Sequence, residues 1–561
     1  MATKRKVKKQ KESLKIIPIG GLHEIGKNMT LLQYGNDILI IDCGMSFPDE
    51  QMFGIDAVIP DFTYLTENAD KVRGLIVTHA HEDHIGGIPY LLQNLRIPVY
   101  ASGLTIGFIR RKLEERNIKK PKLHEIKPGD TIKLGAFKVE AIHTTHSVAD
   151  SFAFAIDTPV GKLVHTGDFK VDYTPVDGAP IDLARFAELG KEGVQILLAD
   201  STNAARKGYT PSEQVVGDSL RNIFSNIDGR IIIATFSSNV HRVQKIIDIA
   251  VDTGRKVAIS GRSMEQMVAI AKDLGYLTIP ANTLVDLKKI KNVNNSQLVV
   301  ITTGSQGEPM SALYRMASGE HRDVKIRKGD TIILSSTPVP GNEKSVSNVV
   351  NQLFELGAQV IYNDIAETHV SGHACEEELK LIHALLKPKF FMPVHGEARH
   401  LKAHEDIAVR LGMNPDRIIS AENGDIIELR ADTYKFSDVK ASAEAVMVDG
   451  LGVGDVGNVV LRERKDLSEG GCLMIAATLD KETGRLLAGP SISTRGLIYV
   501  KEYGELLEDA EHFAQRVLKQ TARKTLKNEL EVKKLLREKM RSFILERTGR
   551  SPVIISIIMY V

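Results

Sequence analysis

The stretch VTHAHEDHIGG, residues 77–87, limits what this chain can fold into more than any other segment. Four side chains of metal-ligand type fall within six positions after an apolar run: His79, His81, Asp83 and His84. Burying so many polar groups without partners is costly. Imidazole and carboxylate together suit zinc, manganese or iron rather than calcium. A polar turn that caps the next helix is the alternative, but the spacing favours a metal site at a strand end.

Other apolar runs also end in small or polar residues. They are KIIPIGG (15–21), ILIIDCG (38–44), KLVHTGDF (162–169) and ILLADSTN (196–203). Each predicts a buried strand that delivers functional groups at its end. From about residue 212 to 365 strands alternate with helical patterns, which indicates a parallel α/β sheet with ligands at the carboxyl ends of its strands.

The length and the late change in composition predict several domains. A chain of 561 residues is too long for one core. Residues 436–460 are glycine-rich and predict a linker. Beyond them, a strand, a charged helical stretch at about 503–547 and a terminal strand predict a small α/β domain at 461–561.

Charge and cysteine content exclude some classes of protein. No apolar run is long enough to cross a membrane, and the basic residues 1–14 predict a disordered arm rather than a secretory signal. The three cysteines, Cys43, Cys375 and Cys472, are far apart and suit a reducing cytoplasm. Residues 511–550 carry an excess of seven positive charges, which predicts a solvated helix face with some affinity for RNA.

Three further candidate ligands follow apolar strands elsewhere in the chain: His146, Asp168 and His395. Any one of them alone is more typical of an ordinary surface or core residue. Together with the first four they make seven ligands. That number is enough for two metal ions with one carboxylate between them.

The order of these ligands resembles that of the metallo-β-lactamase superfamily, whose fold is an αββα sandwich with metals at its edge. The resemblance implies that His79, His81 and His146 bind one metal ion. It assigns Asp83, His84 and His395 to the other ion, with Asp168 as the bridge.

More than two hundred residues separate Asp168 from His395. An insertion of this kind resembles the β-CASP domain of nucleic-acid-processing nucleases. Asp200 in LADSTN and His373 in THVSGHACEEE match two motifs of that family, and His395 in PVHGE matches a third. With GGLHEIGKN, GIDAVIPD, TGSQGEPM and KPKFFMPVHGE, nearly the whole chain is similar to the bacterial ribonuclease J family.

The resemblance implies an α/β domain organisation. Its parts are a metallo-β-lactamase domain at 15–211 and 366–435, an inserted β-CASP domain at 212–365, and a C-terminal oligomerisation domain at 461–561. It also implies a homodimer or homotetramer, with a paralogous subunit as an alternative partner. No membrane is involved, and the protein is expected to be cytoplasmic.

The expected activity is hydrolysis of single-stranded RNA, as a 5′-to-3′ exonuclease and an endonuclease in RNA maturation and mRNA decay. Two Zn²⁺ ions per subunit, or Mn²⁺, would be the cofactors. Asp200 and His373 form the expected catalytic pair, and which of them carries the proton is open. The alternatives are a hydrolase of a small ester or thioester and a nonenzymatic RNA-binding scaffold.

Two polar loops are candidates for phosphate binding. Ser237, Ser238 and Asn239 follow a strand and precede a helix, so their amides and hydroxyls can face an anion. The second loop is HVSGH: His369, Val370, Ser371, Gly372 and His373. The resemblance implies that both loops contact the terminal nucleotide of a 5′-monophosphorylated RNA. It further implies a structural Ca²⁺ near the backbone of Phe53 and Ile55, with Asp449 as a side-chain ligand.

Overall fold

The computed structural model describes residues 12–49, 51–176, 178–308, 310–339, 342–363, 365–497, 504–521 and 523–561. The predicted basic arm, up to residue 11, lies outside this range. The chain forms two compact units. The larger contains residues up to 47 and 58–446, and the smaller contains residues 48–57 and 447–561.

Up to residue 211 the chain is rich in strands. The strands are β1 (Leu14–Gly20), β2 (Met29–Tyr34), β3 (Asp37–Ile41), β4 (Ala57–Ile59), β5 (Val72–Ile76), β6 (Pro98–Ala101), β7 (Lys122–Glu125), β8 (Thr131–Leu134), β9 (Phe137–Thr144), β10 (Ser151–Thr158), β11 (Gly161–His165) and β12 (Ile196–Asp200). The helices are α1 (Thr63–Glu67), α2 (Glu82–Ile85), α3 (Ile88–Asn94), α4 (Gly103–Glu115) and α5 (Leu183–Glu192).

Strands and helices alternate in the next segment. They are α6 (Glu213–Ser225), β13 (Ile231–Ala234), α7 (Val240–Asp252), β14 (Lys256–Ser260), α8 (Arg262–Asp273), β15 (Leu298–Thr302), α9 (Ala312–Ala317), β16 (Thr331–Leu334), α10 (Glu343–Glu355) and β17 (Gln359–Ile361). The larger unit ends with α11 (Glu376–Leu386), β18 (Phe390–Val394), α12 (Ala398–Arg410), β19 (Ile427–Leu429) and β20 (Tyr434–Phe436). Short 3₁₀ turns cover Ala69–Lys71, Leu287–Asn292, Asn295–Gln297 and Pro415–Arg417.

Two mixed sheets form a sandwich in the described part of the larger unit. Their strand orders are β20-β19-β1-β2-β3-β5-β6-β7 and β18-β12-β11-β10-β9-β8. One core cluster joins residues from both, including Ile16, Leu39 and Phe154. Helices α5, α11 and α12 cover the outer face of the second sheet, and α4 contacts β6 and β7 of the first. The αββα sandwich is therefore confirmed.

The insertion at 212–365 forms a parallel sheet of its own. Its strand order among the described residues is β14-β15-β13-β16-β17, and each neighbouring pair of strands is parallel. Isoleucine, valine and leucine fill its strands because both faces are buried under helices. The predicted inserted α/β domain is confirmed.

The smaller unit has a separate core. Its elements are β21 (Val446–Asp449), β22 (Gly452–Val453), α13 (Asn458–Gly470), β23 (Cys472–Leu479), β24 (Leu486–Arg495), α14 (Gly504–Gln520), α15 (Arg523–Leu526), α16 (Glu529–Thr548) and β25 (Val553–Tyr560). The strand order β24-β23-β25 and the apolar faces of α14 and α16 enclose the core.

The structure adds detail to two expectations for this region. The helical stretch expected at 503–547 is divided into α14, α15 and α16, because the Asn528 side chain caps a new helix by accepting from the amides of Leu530 and Glu531. The expected linker at 436–460 contains the β21–β22 hairpin. Gly450 lies in its tight turn with φ of 58°, and Gly454 directly follows β22 with φ of 74°. No helix among the described residues is long and apolar enough to cross a membrane.

Candidate metal centre

Strand direction brings most of the candidate ligands to one edge of the sandwich. Strand β10 is antiparallel to both β9 and β11, and β11, β12 and β18 are parallel. The carboxyl ends of β9, β11, β12 and β18 therefore lie at the same edge. His146, Asp168 and His395 follow β9, β11 and β18, and Asp200 is the last residue of β12. In the facing sheet, His79 follows β5.

Three histidines converge on one point. His79 Nε2 lies 3.0 Å from His81 Nδ1, which lies 3.1 Å from His146 Nε2. For Zn–N bonds of about 2.0–2.1 Å, the ligand atoms of a tetrahedral ion lie roughly 3.3 Å apart. The spacing of these ring nitrogens therefore fits ligands that share one ion.

A second group lies beside the first. Asp83 Oδ2 is 3.2 Å from His395 Nε2 and 3.6 Å from His84 Nε2. Asp168 stands between the groups, because its Oδ2 is 3.6 Å from His79 Nε2, 3.3 Å from His84 Nε2 and 3.5 Å from His395 Nε2. One carboxylate oxygen is thus within reach of both sets, as a bridging ligand requires. All seven side chains of the sequence prediction are brought together.

The electrostatics of the two groups differ. Burial lowers the pKa of His79 well below its ordinary value and that of His81 to about 4. These rings are therefore neutral, which is the form that binds metal. Burial opposes charge on His84 as well, but the carboxylates of Asp168 and Asp83 outweigh it and raise its pKa. The surrounding carboxylates therefore favour a cation here.

Partners outside the seven residues orient the rings. His84 Nδ1 donates to Asp42 Oδ2 at 2.8 Å, and the amide and hydroxyl of Thr78 also donate to the Asp42 carboxylate. This bond directs His84 Nε2 towards Asp83 and Asp168 at the centre. The sequence reasoning missed Asp42. Its position after the apolar run ILII was the only signal.

The HVSGH loop is joined directly to the ligands. His146 Nδ1 donates to the carbonyl oxygen of Gly372 at 2.7 Å. A Cβ atom added to Gly372 would lie 2.5 Å from His146 Cε1, so glycine is required for this close approach. The ring of His395 is held by Thr202, whose Oγ1 lies 2.6 Å from His395 Nδ1.

The expected catalytic pair is also in contact. His373 Nδ1 lies 2.8 Å from Asp200 Oδ2, and the same ring lies 3.8 Å from Asp168 Oδ2. Asp200 is buried, and its other oxygen accepts from the Thr202 amide at 3.0 Å. Burial opposes charge on His373, but Asp200 outweighs it and raises the His373 pKa.

Four family models together match most of the chain. Residues 228–353 match the ribonuclease J β-CASP domain, and residues 459–561 match the ribonuclease J C-terminal domain. Residues 24–210 match the metallo-β-lactamase superfamily, and residues 358–416 match a Zn-dependent metallo-hydrolase RNA specificity domain. The chain belongs to the ribonuclease J family.

Named relatives agree over nearly the full length. The chain is 44% identical to ribonuclease J 1 of Streptococcus pyogenes, with 97% of each chain covered. It is 41% identical to ribonuclease J2 of Bacillus subtilis, with 99% of this chain and 100% of the relative covered. The family supports a metal-dependent nuclease that binds RNA, and neither the small-ester hydrolase nor the nonenzymatic scaffold is favoured.

A solved structure shares the fold. It is a protein of unknown function from Enterococcus faecalis, 16% identical, with a TM-score of 0.52. The match covers 74% of this chain and 100% of that structure. At this identity the likeness shows the fold alone.

The two expected substrate loops lie close together. The rings of Phe236 and His369 are 6.2 Å apart between centroids. Ser237 and Ser238 are partly exposed, whereas Asn239 is buried and caps α7 by accepting from the Arg242 amide. Ser371 Oγ accepts from Asn203 Nδ2 at 2.8 Å, and the Val370 side chain is buried.

The residues expected to bind calcium have another partner. Nη1 of Arg464 donates to the carbonyl oxygen of Phe53 at 2.9 Å, and Nη2 pairs with the carboxylate of Asp449. The Arg464 guanidinium already occupies both of these oxygens, so this arrangement of residues does not fit a calcium ion. Ile55, two residues after Phe53, is buried. The calcium site stays a prediction.

Proposed function

We propose that the chain is a two-metal ribonuclease that shortens single-stranded RNA from a 5′-monophosphorylated end and also cuts internally. It would act in RNA maturation and mRNA decay in the cytoplasm. The observation that carries the proposal is the grouping of six other ligand atoms around Asp168 Oδ2, directly beside the His373–Asp200 pair. The proposed cofactors are two Zn²⁺ ions, or Mn²⁺.

Each residue has a role in this proposal. Two divalent ions would supply an activated water and neutralise charge on the phosphodiester. The carboxylate of Asp200 holds Nδ1 of His373 and so fixes the direction of the ring. Nε2 of His373 is then the atom that can give a proton to the leaving ribose oxygen, which is general acid catalysis.

The two polar loops would select the RNA end. Ser237 and Ser238 precede the first turn of α7, where the positive end of the helix dipole favours an anion. The loop at 369–373 is tied to the centre through Gly372 and His146. A terminal phosphate bound by both loops would place the first phosphodiester over the ligands.

The test uses a 5′-monophosphorylated RNA with a label at its 5′ end, incubated with zinc or manganese. Wild type is compared with His81→Ala, His373→Ala and the control His124→Ala, which alters an exposed histidine on β7. Wild type and the control should release labelled mononucleotide, and the other two variants should lose at least about a hundredfold in rate.

The products separate the modes of cleavage. Labelled fragments of several lengths would show endonuclease action in place of the 5′ exonuclease. RNA that stays intact with either metal, although metal is bound, would refute the proposal.

We further propose that the smaller unit assembles a homodimer or homotetramer, or pairs with a paralogous subunit. Strand β25 lies at the edge of its sheet. It exposes Ile555, Ile557 and Met559 on one face, at 42%, 47% and 51%. An exposed apolar strand at a sheet edge is a surface on which another chain can pair.

A further inference from the structure

A groove of about 300 Å³ opens beside the candidate centre in the larger unit. Two short loops line it, residues 171–174 and 209–212. Two of the lining residues are exposed tyrosines, with Tyr173 at 60% and Tyr209 at 57%. Large aromatic side chains are costly to leave in water, so two of them at one groove suggest a ligand with an aromatic face.

One buried carboxylate holds both walls of the groove. Oε1 of Glu378 accepts from the Val171 amide at 2.7 Å, and Oε2 accepts from the Thr210 amide at 2.7 Å. The Glu378 side chain is fully buried. Farther along, the Ser212 hydroxyl donates to the carbonyl oxygen of Thr174 at 2.9 Å. The two tyrosines therefore stand on a rigid frame.

Another polar side chain of the groove, that of Asp172, also forms its hydrogen bonds within the protein. The Asp172 carboxylate accepts from the amides of Thr174 and Glu213 and pairs with Lys170 Nζ at 3.4 Å. Most hydrogen-bonding capacity of the walls is thus committed inside the protein. What the groove offers a ligand is chiefly the two rings.

Both walls continue into the catalytic residues. The Thr210 hydroxyl donates to the carbonyl oxygen of His373 at 2.6 Å. On the other side, the Thr145 hydroxyl, next to His146, donates to the carbonyl oxygen of Lys170 at 2.7 Å and accepts from the Asp172 amide at 3.3 Å. The two walls are therefore hydrogen-bonded to the segments that carry His373 and His146.

Charge near the groove suits the same ligand. Arg206 and Lys207 are exposed on the segment that leads to Tyr209. The amides of Glu376 and Glu377 hold this segment by donating to the carbonyl oxygens of Arg206 and Gly208. Exposed cations beside aromatic rings are the combination that binds single-stranded nucleic acid, because the cations attract phosphates and the rings stack on bases.

We propose that the groove between residues 171–174 and 209–212 is a nucleobase subsite, in which Tyr173 and Tyr209 stack on a base of the RNA some distance from the scissile phosphate. Stacking is tolerant of base identity, so the subsite adds affinity without sequence preference. The inference rests on the proposed RNA hydrolysis and adds a site outside the metal centre and the two phosphate loops.

Steady-state kinetics on the full chain test the subsite. The variants are Tyr173→Ala and Tyr209→Ala, with Tyr173→Phe and Tyr209→Phe as conservative partners and Phe436→Ala as a control on exposed β20. The substrates are a 5′-monophosphorylated RNA of about ten nucleotides and the p-nitrophenyl ester of thymidine 5′-monophosphate, which is too short to reach the groove. Each alanine variant should raise KM for the RNA about tenfold, with kcat and hydrolysis of the ester unchanged, and each phenylalanine variant should retain wild-type KM.

A binding measurement gives an independent readout. The chain contains no tryptophan, so Tyr209→Trp in a His373→Ala background introduces a single tryptophan, which can be excited at a wavelength where the tyrosines do not absorb. Stacking on a base should quench it as RNA is added, with half-saturation near the KM for RNA.

The outcomes are distinct. Wild type that does not cleave RNA would refute the proposed function. Active wild type with unchanged KM in the alanine variants, or equal losses on RNA and on the ester, would overturn the subsite alone.

Discussion

At the scale of single residues, the centre depends on side chains that never touch a metal ion. Asp42 accepts from His84, and Gly372 accepts from His146 through its carbonyl oxygen. Such partners set the tautomer and direction of an imidazole ligand. The ligands are therefore organised before any ion arrives.

Changing Asp42→Asn should weaken metal binding about 10- to 100-fold, because the amide cannot accept both the His84 proton and the two bonds from Thr78. Competition with a chromogenic zinc chelator measures this affinity. Asp37→Asn is a matched control at the start of β3, the strand that precedes Asp42, where Asp37 pairs with Arg73. Equal zinc affinity in Asp42→Asn and wild type would contradict the assigned role.

At the scale of elements, Arg242 on α7 joins the inserted domain to the HVSGH loop. Its side chain is fully buried. Nη2 donates to Glu213 Oε1 at 2.7 Å, and Nη1 donates to Ser335 O at 2.9 Å and to Thr368 O at 3.3 Å. A guanidinium can make several such bonds at once because its donors lie in a fixed plane.

Arg242→Met should lower the free energy of unfolding by about 3–5 kcal/mol, since it leaves the Glu213 carboxylate buried without its partner. The double variant Arg242→Met/Glu213→Leu should recover much of this loss, because neither charge remains. Urea unfolding of both proteins measures the difference. If the double variant were no more stable than the single one, the ion pair would not be the cause.

Helices α11 and α12 meet through a pair of buried histidines. His383 Nε2 lies 3.2 Å from His404 Nε2, and His404 Nδ1 lies 3.0 Å from the hydroxyl of Ser201. Burial lowers the pKa of His383 to about 4. The fold therefore holds this ring in its neutral form.

The folded protein binds the His383 proton less readily than the unfolded chain, whose pKa is about 6.5. The contribution to stability is complete above about pH 6.5 and is lost as pH falls towards 4, by about 3 kcal/mol. His383→Leu should therefore lose less stability than wild type between these pH values. Urea unfolding at pH 7 and pH 5 measures the difference, with His124→Leu as an exposed control. Parallel pH profiles for His383→Leu and wild type would contradict the expectation.

At the scale of the whole molecule, the chain divides its tasks between two units with separate cores. The ligand groups found among the described residues lie in the larger unit. The smaller unit contributes an edge strand with an exposed apolar face. If catalysis and assembly are divided as proposed, substitutions should alter them independently.

Ile557→Lys should shift the protein towards smaller species without changing hydrolysis of a short substrate, because a charge on β25 opposes pairing with another chain. Sedimentation velocity over a range of protein concentrations measures the shift. Leu530→Lys, on the exposed surface of α16 in the same unit, is the control. An unchanged species distribution for Ile557→Lys would place the assembly surface elsewhere.

The αββα sandwich, its parallel α/β insertion and the candidate ligands could all be predicted from the sequence. Apolar runs that end in polar groups report local backbone conformation, and the spacing of His79, His81, Asp83 and His84 is itself local. The buried polar residues that support the ligands and the neighbouring loops could not be predicted in this way. Asp42, Glu378 and Arg242 each look like an ordinary polar residue in the sequence, and their contacts lie 29 to 207 positions away.

Those contacts depend on which strands pair and in which direction, and on which helices cover them. The same holds for Pro48–Ala57, which joins the smaller unit although it lies nearly four hundred residues earlier in the chain than the rest of that unit. Local patterns specify where each strand ends. Long-range packing brings those ends together, because burial of apolar surface depends on the whole sheet rather than on one segment.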